Sequence, residues 1–305
     1  MPCPRTHFSP LTLVVVAVLT GSPSPAVNAG PQLAWKFKKD QVLTYVVEQH
    51  TQMKMKRGDV VRELTQSTIL DASLKTIETT ATGAKLTYSL DRVQMKVLDP
   101  GGAPMEYDSD KSDAPTQLPA PMLAVLETLL KVDVPFQADP RGGFTDIVYP
   151  EKLEKTIAEL GPQASMAEQF SRSGLEQSIR QLLVSLPKSA VDSETPWQSS
   201  ATFAMGQLGS LQYDYTHTYG GPATVADKPL EKIAVVTNIT VKKSDAPGPN
   251  IGLEVEEAKG TIHFDAAAGH VATQDNLLKM QLTIATPFGT VSQDITSTTK
   301  VRLKP

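Results

Sequence analysis

The feature that most restricts the fold is the distance over which apolar and polar residues alternate. In Val42–Lys56, Leu43, Tyr45, Val47, Met53 and Met55 share one face, while Thr44, Glu48, His50, Gln52, Lys54 and Lys56 share the other. A period of two marks a strand with one side turned to a core. Such runs extend for about twelve to fifteen residues here, against ~5–6 for an ordinary strand. Strands of that length twist and curve, and their apolar faces must be covered by something.

The same pattern recurs along the chain. Arg57-Gly58-Asp59 reads as a turn, and the run that follows to Ile77 makes a hairpin with 42–56. Within 84–98 the phase slips, because Leu86, Tyr88 and Leu90 are even while Val93, Met95 and Val97 are odd. One extra residue near Asp91-Arg92 accounts for the slip and predicts a β-bulge there. Later, Leu211, Tyr213, Tyr215, His217 and Tyr219 share a face, as do Ile233, Val235, Ile239 and Val241. Leu278–Ile284 leads through a Pro287-Phe288-Gly289 turn to Val291–Leu303, a hairpin that echoes 42–77 and hints at internal duplication. The segment Leu33–Lys39 alternates apolar and basic residues, which predicts a first strand with Trp35 and Phe37 inward and Lys36 and Lys38 in water.

The middle of the chain has a different period. Met122, Leu123, Val125, Leu126, Leu129 and Leu130 follow helical spacing. Pro150 suits the first turn of a second helix carrying Leu153, Ile157 and Leu160, with Gly161 as its stop. Ser173 with Glu176 predicts a capping box for a third, which carries Leu175, Ile179, Leu182 and Leu183 and ends by Pro187. Asp139-Pro140-Arg141-Gly142 reads as a hairpin turn between the first two. The expectation is one α+β domain over residues 30–305, with strands in 33–107, helices and one hairpin in 120–187, and strands in 197–303. It is a long curved antiparallel sheet, or an incomplete barrel, with the amphipathic helices on its concave face. Two similar β-lobes joined by the helices are the alternative. Asp108–Pro121 and Ser244–Asn250 read as solvent loops.

The N-terminal residues have the pattern of a signal peptide. Arg5 precedes the apolar run Leu11–Leu19, which is too short to span a bilayer. A breaker-rich stretch follows, and Val27-Asn28-Ala29 places small residues for cleavage after Ala29. A cleaved leader 1–29 predicts a secreted or periplasmic protein with no transmembrane segment in the mature chain. Cys3 is the single cysteine and lies in that leader, so no disulfide, thiolate metal site or cysteine nucleophile is expected beyond it. The chain has 29 basic and 33 acidic residues, net −4, and loss of Arg5 makes the remainder more acidic by one charge. An acidic chain without a basic face argues against nucleic-acid binding.

Little of the sequence points to catalysis. In Gly260–His270, His263, Asp265 and His270 raise the possibility of a metal site, but a four-residue loop Ala266–Gly269 would set Asp265 opposite His270 and Phe264 opposite Val271. That register places His263 opposite Ala272 without a third ligand, so a hairpin corner with an Asp265–His270 ion pair is expected, and no metal or cofactor. Asp108-Ser109-Asp110 opens like a calcium loop, yet Asp113 stands where the pattern needs Gly and Pro119 where it needs Glu. Ser185-Leu186-Pro187-Lys188 matches S-x-x-K, but at a helix end with Pro187 intervening. Asn238-Ile239-Thr240 fits a glycosylation sequon. Glu254 and Glu256 share the polar side of a strand, which suits solvent. His217 is the histidine on an apolar face, and the stripe Tyr213, Tyr215, His217, Tyr219 is the candidate ligand-binding wall of a curved sheet.

Several short motifs carry a resemblance: Trp35-Lys36-Phe37-Lys38, Asp91–Lys96, Glu106–Ser109, Pro140-Arg141-Gly142, Glu151-Lys152-Leu153, Leu186-Pro187, Leu230–Ile233 and Gly260–Asp265. On these the chain resembles a family of secreted bacterial proteins of unknown function, common in planctomycetes. In architecture the expected half-barrel is similar to the lipoprotein-carrier and lipid-binding proteins of the cell envelope. Neither resemblance implies an active site. The expected function is an exported, non-catalytic envelope protein that binds an apolar ligand such as a lipid in a sheet–helix cavity. The alternative is a structural or interaction protein of the envelope that binds a protein partner and no ligand. A hydrolase using scattered carboxylates or His217 ranks third. Oligomeric state is not legible.

Overall fold

The computed structural model describes residues 30–305 except 103, 112–117, 131, 161–169, 193–194, 205–208, 244–249 and 287–288. The leader 1–29, the helix stop at Gly161, most of the 244–250 loop and the Pro287-Phe288 turn lie outside the described residues.

Alternation becomes strand wherever it was long. The first three strands are β1 (Val42–Arg57), β2 (Val60–Thr80) and β3 (Gly83–Leu98), followed by the short β4 (Met105–Asp108). The middle holds α1 (Ala120–Leu129), the hairpin β5 (Asp133–Ala138) and β6 (Phe144–Thr145), then α2 (Glu151–Glu159) and α3 (Arg172–Leu182). The last third is β7 (Trp197–Ala204), β8 (Ser210–Val225), β9 (Lys228–Lys242), β10 (Asn250–Asp265), β11 (His270–Thr286) and β12 (Gly289–Leu303). The twelve strands among the described residues form one open antiparallel sheet in the order β6-β5-β3-β2-β1-β12-β11-β10-β9-β8-β7, with β4 on β3. The two hairpins that echo each other are neighbours, because β1 pairs with β12 along Tyr45–Arg57 and Val291–Leu303.

The phase slip in β3 is a bulge. Asp71 pairs with Arg92 and Ala72 with Leu90, which leaves Asp91 as the extra residue. Its carboxylate accepts hydroxyl hydrogen bonds from Ser73, and from Ser89 at 3.1 Å. In the Gly260–His270 hairpin, Phe264 pairs with Val271 and Asp265 with His270, as the loop length required. His263 pairs with Thr273 instead of Ala272, because Ala272 is bulged out. The expected ion pair is not made. Asp265 turns inward to accept the Ala268 amide at 2.7 Å, and His270 Nδ1 lies 3.3 Å from the Val271 carbonyl.

Three further expectations change. Leu33–Lys39 joins no ladder, and its last residue lies in a turn. Trp35 N–H donates to Pro140 O (2.7 Å) and Lys36 N–H to Gly269 O (3.0 Å), so the segment threads between two turns, with Leu33 and Trp35 buried and Lys36 and Lys38 exposed. The cap of α3 is Ser171, whose hydroxyl accepts the Gly174 amide, and Ser173 lies inside the helix. Asp108 is not a loop residue, since it ends β4 and its carboxylate receives two Arg92 nitrogens at 3.0 and 3.3 Å.

A single core cluster joins the helices to the sheet. Val125, Leu126, Leu153, Leu175 and Ile179 share it with Tyr45, Leu86, Phe136, Phe264 and Val301. Its fixed point is the turn at Asp139–Gly143. Gly142 has φ +78°, and a Cβ there would lie 2.1 Å from Val184 O, so only glycine fits. The two carbonyls after α3 take the two indoles: Trp35 Nε1 donates to Val184 O (3.0 Å) and Trp197 Nε1 to Ser185 O (3.1 Å). The exit of α3 is thus held by two indoles, one from the unpaired segment before β1 and one from the start of β7.

Candidate functional site

The site is built by curvature. Helix α3 lies close to strands on opposite flanks of the sheet, with Ser178 beside Tyr88 on β3 and Gln177 beside Tyr215 on β8, all four lining one cavity. Seven strand spacings separate β3 from β8, about 34 Å if the sheet were flat. A helix is only about 10–12 Å across. The sheet must therefore bend strongly for both strands to touch one helix. A cavity of about 470 Å³ remains between α3 and the strands, within the range of small-molecule sites.

The walls divide by chemistry. On the β3 side stand Tyr88, Leu90, Val93 and Met95, and on the β8–β9 side Tyr213, Tyr215, Val235 and Ile239. Between them runs one cross-strand row in which Thr68 opposes Gln49, Gln49 opposes Thr299, and Thr299 opposes Asn276. Directly opposed residues project on the same face, and all four line the cavity. The row continues through Gly260 and Val235 to His217. A Cβ at Gly260 would fall 2.1 Å from Asn276 Oδ1, so any larger residue there would displace that belt side chain. The apolar lining is thus crossed by a polar belt. Thr51 and Ser297 extend it, with their hydroxyls 2.9 Å apart.

Of the four residues singled out in sequence, three line the cavity: Tyr213, Tyr215 and His217. Tyr213 and Tyr215 stack at 6.2 Å, and burial pushes the Tyr213 hydroxyl up to about 12. Tyr219 packs against the core, and its hydroxyl donates to Glu231 Oε2 at 2.6 Å. It is not among the cavity-lining residues; the strand shifts register just beyond it, between Tyr219 and Pro222.

His217 is 4% exposed. Its ring stacks on Trp197 at 5.3 Å, and Nε2 lies 2.9 Å from Ser199 Oγ. Among the described residues, Nδ1 is buried without a partner. Burial pushes the imidazole down to about 4, so it is neutral at pH 7. A serine beside a histidine suggests acyl transfer, but the base of such a dyad is oriented by a third group on its other nitrogen. That nitrogen is unpartnered here, and a base this weak is poorly matched to neutral pH. Gln274 supplies the second unpartnered buried atom, Oε1, and it too lines the cavity. Among the described residues no group of three His, Cys, Asp or Glu is placed to hold a metal, and no helix is long and apolar enough to cross a membrane.

Sequence reasoning missed the belt, Ser199 and Gln274. The signal was present in part: the apolar face of β1 breaks at Gln49 and Thr51, and that of β12 at Ser297 and Thr299.

No family model matches the chain, and no curated protein matches it. Solved structures with some likeness include one described by lipid–protein interactions in lipovitellin, at 13% identity and a TM-score of 0.46. The match covers 88% of this chain but 26% of that one, so the chain spans about a quarter of its length. An outer membrane channel from Pseudomonas putida is 7% identical, with 88% and 97% of the two chains covered and a TM-score of 0.21. A DUF1329 family protein from Desulfovibrio piger is 10% identical, with 85% of each chain covered and a TM-score of 0.16. With TM-scores no higher than 0.46, a functional reading must rest on the chain's own cavity.

Proposed function

We propose that this chain is an exported, non-catalytic protein of the cell envelope that holds an apolar ligand, such as a lipid, between its sheet and its helices. In this reading residues 30–305 are one α+β domain, the helices of 120–187 lie on the concave face, and Tyr213, Tyr215 and His217 form one wall of the ligand site. The observation that carries it is the cavity of about 470 Å³ between α3 and the strands, with tyrosine and aliphatic side chains on both flanks. Export is supported by the leader pattern at residues 1–29 and by the motif resemblance to secreted planctomycete-type proteins. The test is native mass spectrometry of the full chain, expressed with export and purified without detergent, followed by solvent extraction. A discrete excess mass that resolves into acyl-chain molecules is expected. A clean unliganded mass from folded protein would contradict the reading.

A second reading has its own observation. Met53, Met55, Leu64, Met280 and Ile295 lie on the same sheet face beyond the belt and are only half-buried. A structural protein that docks an envelope partner on that face would behave this way. It predicts a stable complex with envelope extract on size-exclusion chromatography, abolished by Met53→Lys.

A further inference from the structure

The cavity wall carries a requirement that an apolar ligand alone does not meet. The buried side-chain atoms without a partner among the described residues are His217 Nδ1 and Gln274 Oε1, and both residues line the cavity. Their residues are 4% and 8% exposed. Each such atom costs about 1–3 kcal/mol while it stays unpaired.

Resting on the reading above, we infer that the ligand is an uncharged amphiphile, whose hydroxyl-bearing head bonds the polar belt at Gln274 and whose apolar body lies toward Tyr213 and Tyr215. A hydroxyl both donates and accepts. It therefore satisfies the Gln274 amide in either orientation. A carboxylate or phosphate only accepts, so it cannot pair an acceptor such as Gln274 Oε1. Neither cationic residue of the lining belongs to the belt. The Arg180 guanidinium sits 4.7 Å over the Phe144 ring, and the Lys259 ammonium is 2.6 Å from Glu257. The belt itself offers Gln49, Thr68, Thr299 and Asn276, all polar and none charged. An anion buried at the belt would lose its hydration with no belt residue carrying a counter-charge. The ligand is also elongated, because three strand spacings, about 14 Å, separate Gln274 on β11 from His217 on β8. Ile262 and Val235 make the wall between them apolar.

The test titrates the full chain, purified without detergent and stripped by solvent exchange, with monooleoylglycerol, oleate and hexadecane. Trp197 stacks on His217, so its fluorescence reports filling of the cavity. Monooleoylglycerol is expected to bind about tenfold or more tightly than oleate, the size of one lost hydrogen bond with its desolvation. Gln274→Leu should erase that preference and bind hexadecane at least as tightly as the unaltered chain, and Gln274→Asn should keep part of the preference. Circular dichroism establishes that the variants fold; if Gln274→Leu does not, the ligand preference of the unaltered chain decides alone. Tighter binding of oleate, or a preference untouched in folded Gln274→Leu, would overturn the inference and leave the cavity reading standing. No binding of any of the three would overturn both.

Discussion

The same face of the same sheet has two fates. Toward the helices, Tyr45, Leu74, Leu86, Phe136 and Phe264 are all under 3% exposed and belong to the core cluster. Toward the β1–β2 turn, one cross-strand row runs Leu64, Met53, Ile295, Met280 and Val255. Every member of that row is half-buried, and none belongs to the core cluster. The alternating code is equally strong in both regions, so strand patterning does not distinguish them. Position relative to the polar belt does: the row Thr68, Gln49, Thr299, Asn276 falls between the two. An apolar sheet face becomes a core only where another layer covers it. Methionine is enriched in the uncovered part, where a flexible, polarisable side chain adapts to changing neighbours.

This comparison can be broken by truncation. Phe264→Ala or Ile179→Ala should cost about 3–5 kcal/mol, because each removes a fully buried side chain. Met280→Ala in the half-buried row should cost under about 1.5 kcal/mol. Equal shifts in denaturant midpoint would mean that the two regions are equally covered.

A pH scan sharpens it next. Unfolded His217 takes up a proton near 6.5, whereas the folded residue does so only near 4. Between those values the unfolded state holds more protons, so stability falls as pH drops from about 6.5 to about 4. The loss is ~3 kcal/mol in full, with none above that window. His217→Phe should flatten this part of the curve. An unchanged curve would place the histidine in water.

Gly142→Ala forces a Cβ against Val184 O and should cost about 1–3 kcal/mol. Loss of near-ultraviolet ellipticity from Trp35 should accompany it, since that indole bonds the same carbonyl. The smallest effect belongs to Lys54–Glu63, an ion pair at 3.7 Å with both side chains more than half exposed. Glu63→Gln should shift stability by less than about 0.5 kcal/mol, and less again in high salt.

How much of this the sequence carried depends on how far each cause acts along the chain. The bulge at Asp91 was legible because one extra residue reverses the phase of a strand for all that follows. The Phe264–Val271 register was legible because a loop length and a hydrophobic pair agreed. The bulge at Ala272 was not, since alanine sits on either face at little cost. Ser171 and Ser173 are equally good caps, and only the backbone at residue 171 chooses between them. Tyr213, Tyr215 and His217 could be grouped because they lie on one strand. Ser199 and Gln274 could not, because their meeting with the cavity depends on pairing across β7–β8 and on a curvature that brings distant strands to one helix. Each belt residue reads alone as a minor break in an apolar stripe. Registers that bring β2, β1, β12 and β11 together turn those breaks into a row.

The most direct test of the account is a high-resolution crystal structure of the full chain purified without detergent. Elongated density between α3 and strands β8–β11, with its polar end at Gln274, is the predicted result. A cavity closed by its own side chains, or filled only by ordered water that pairs both His217 Nδ1 and Gln274 Oε1, would contradict it.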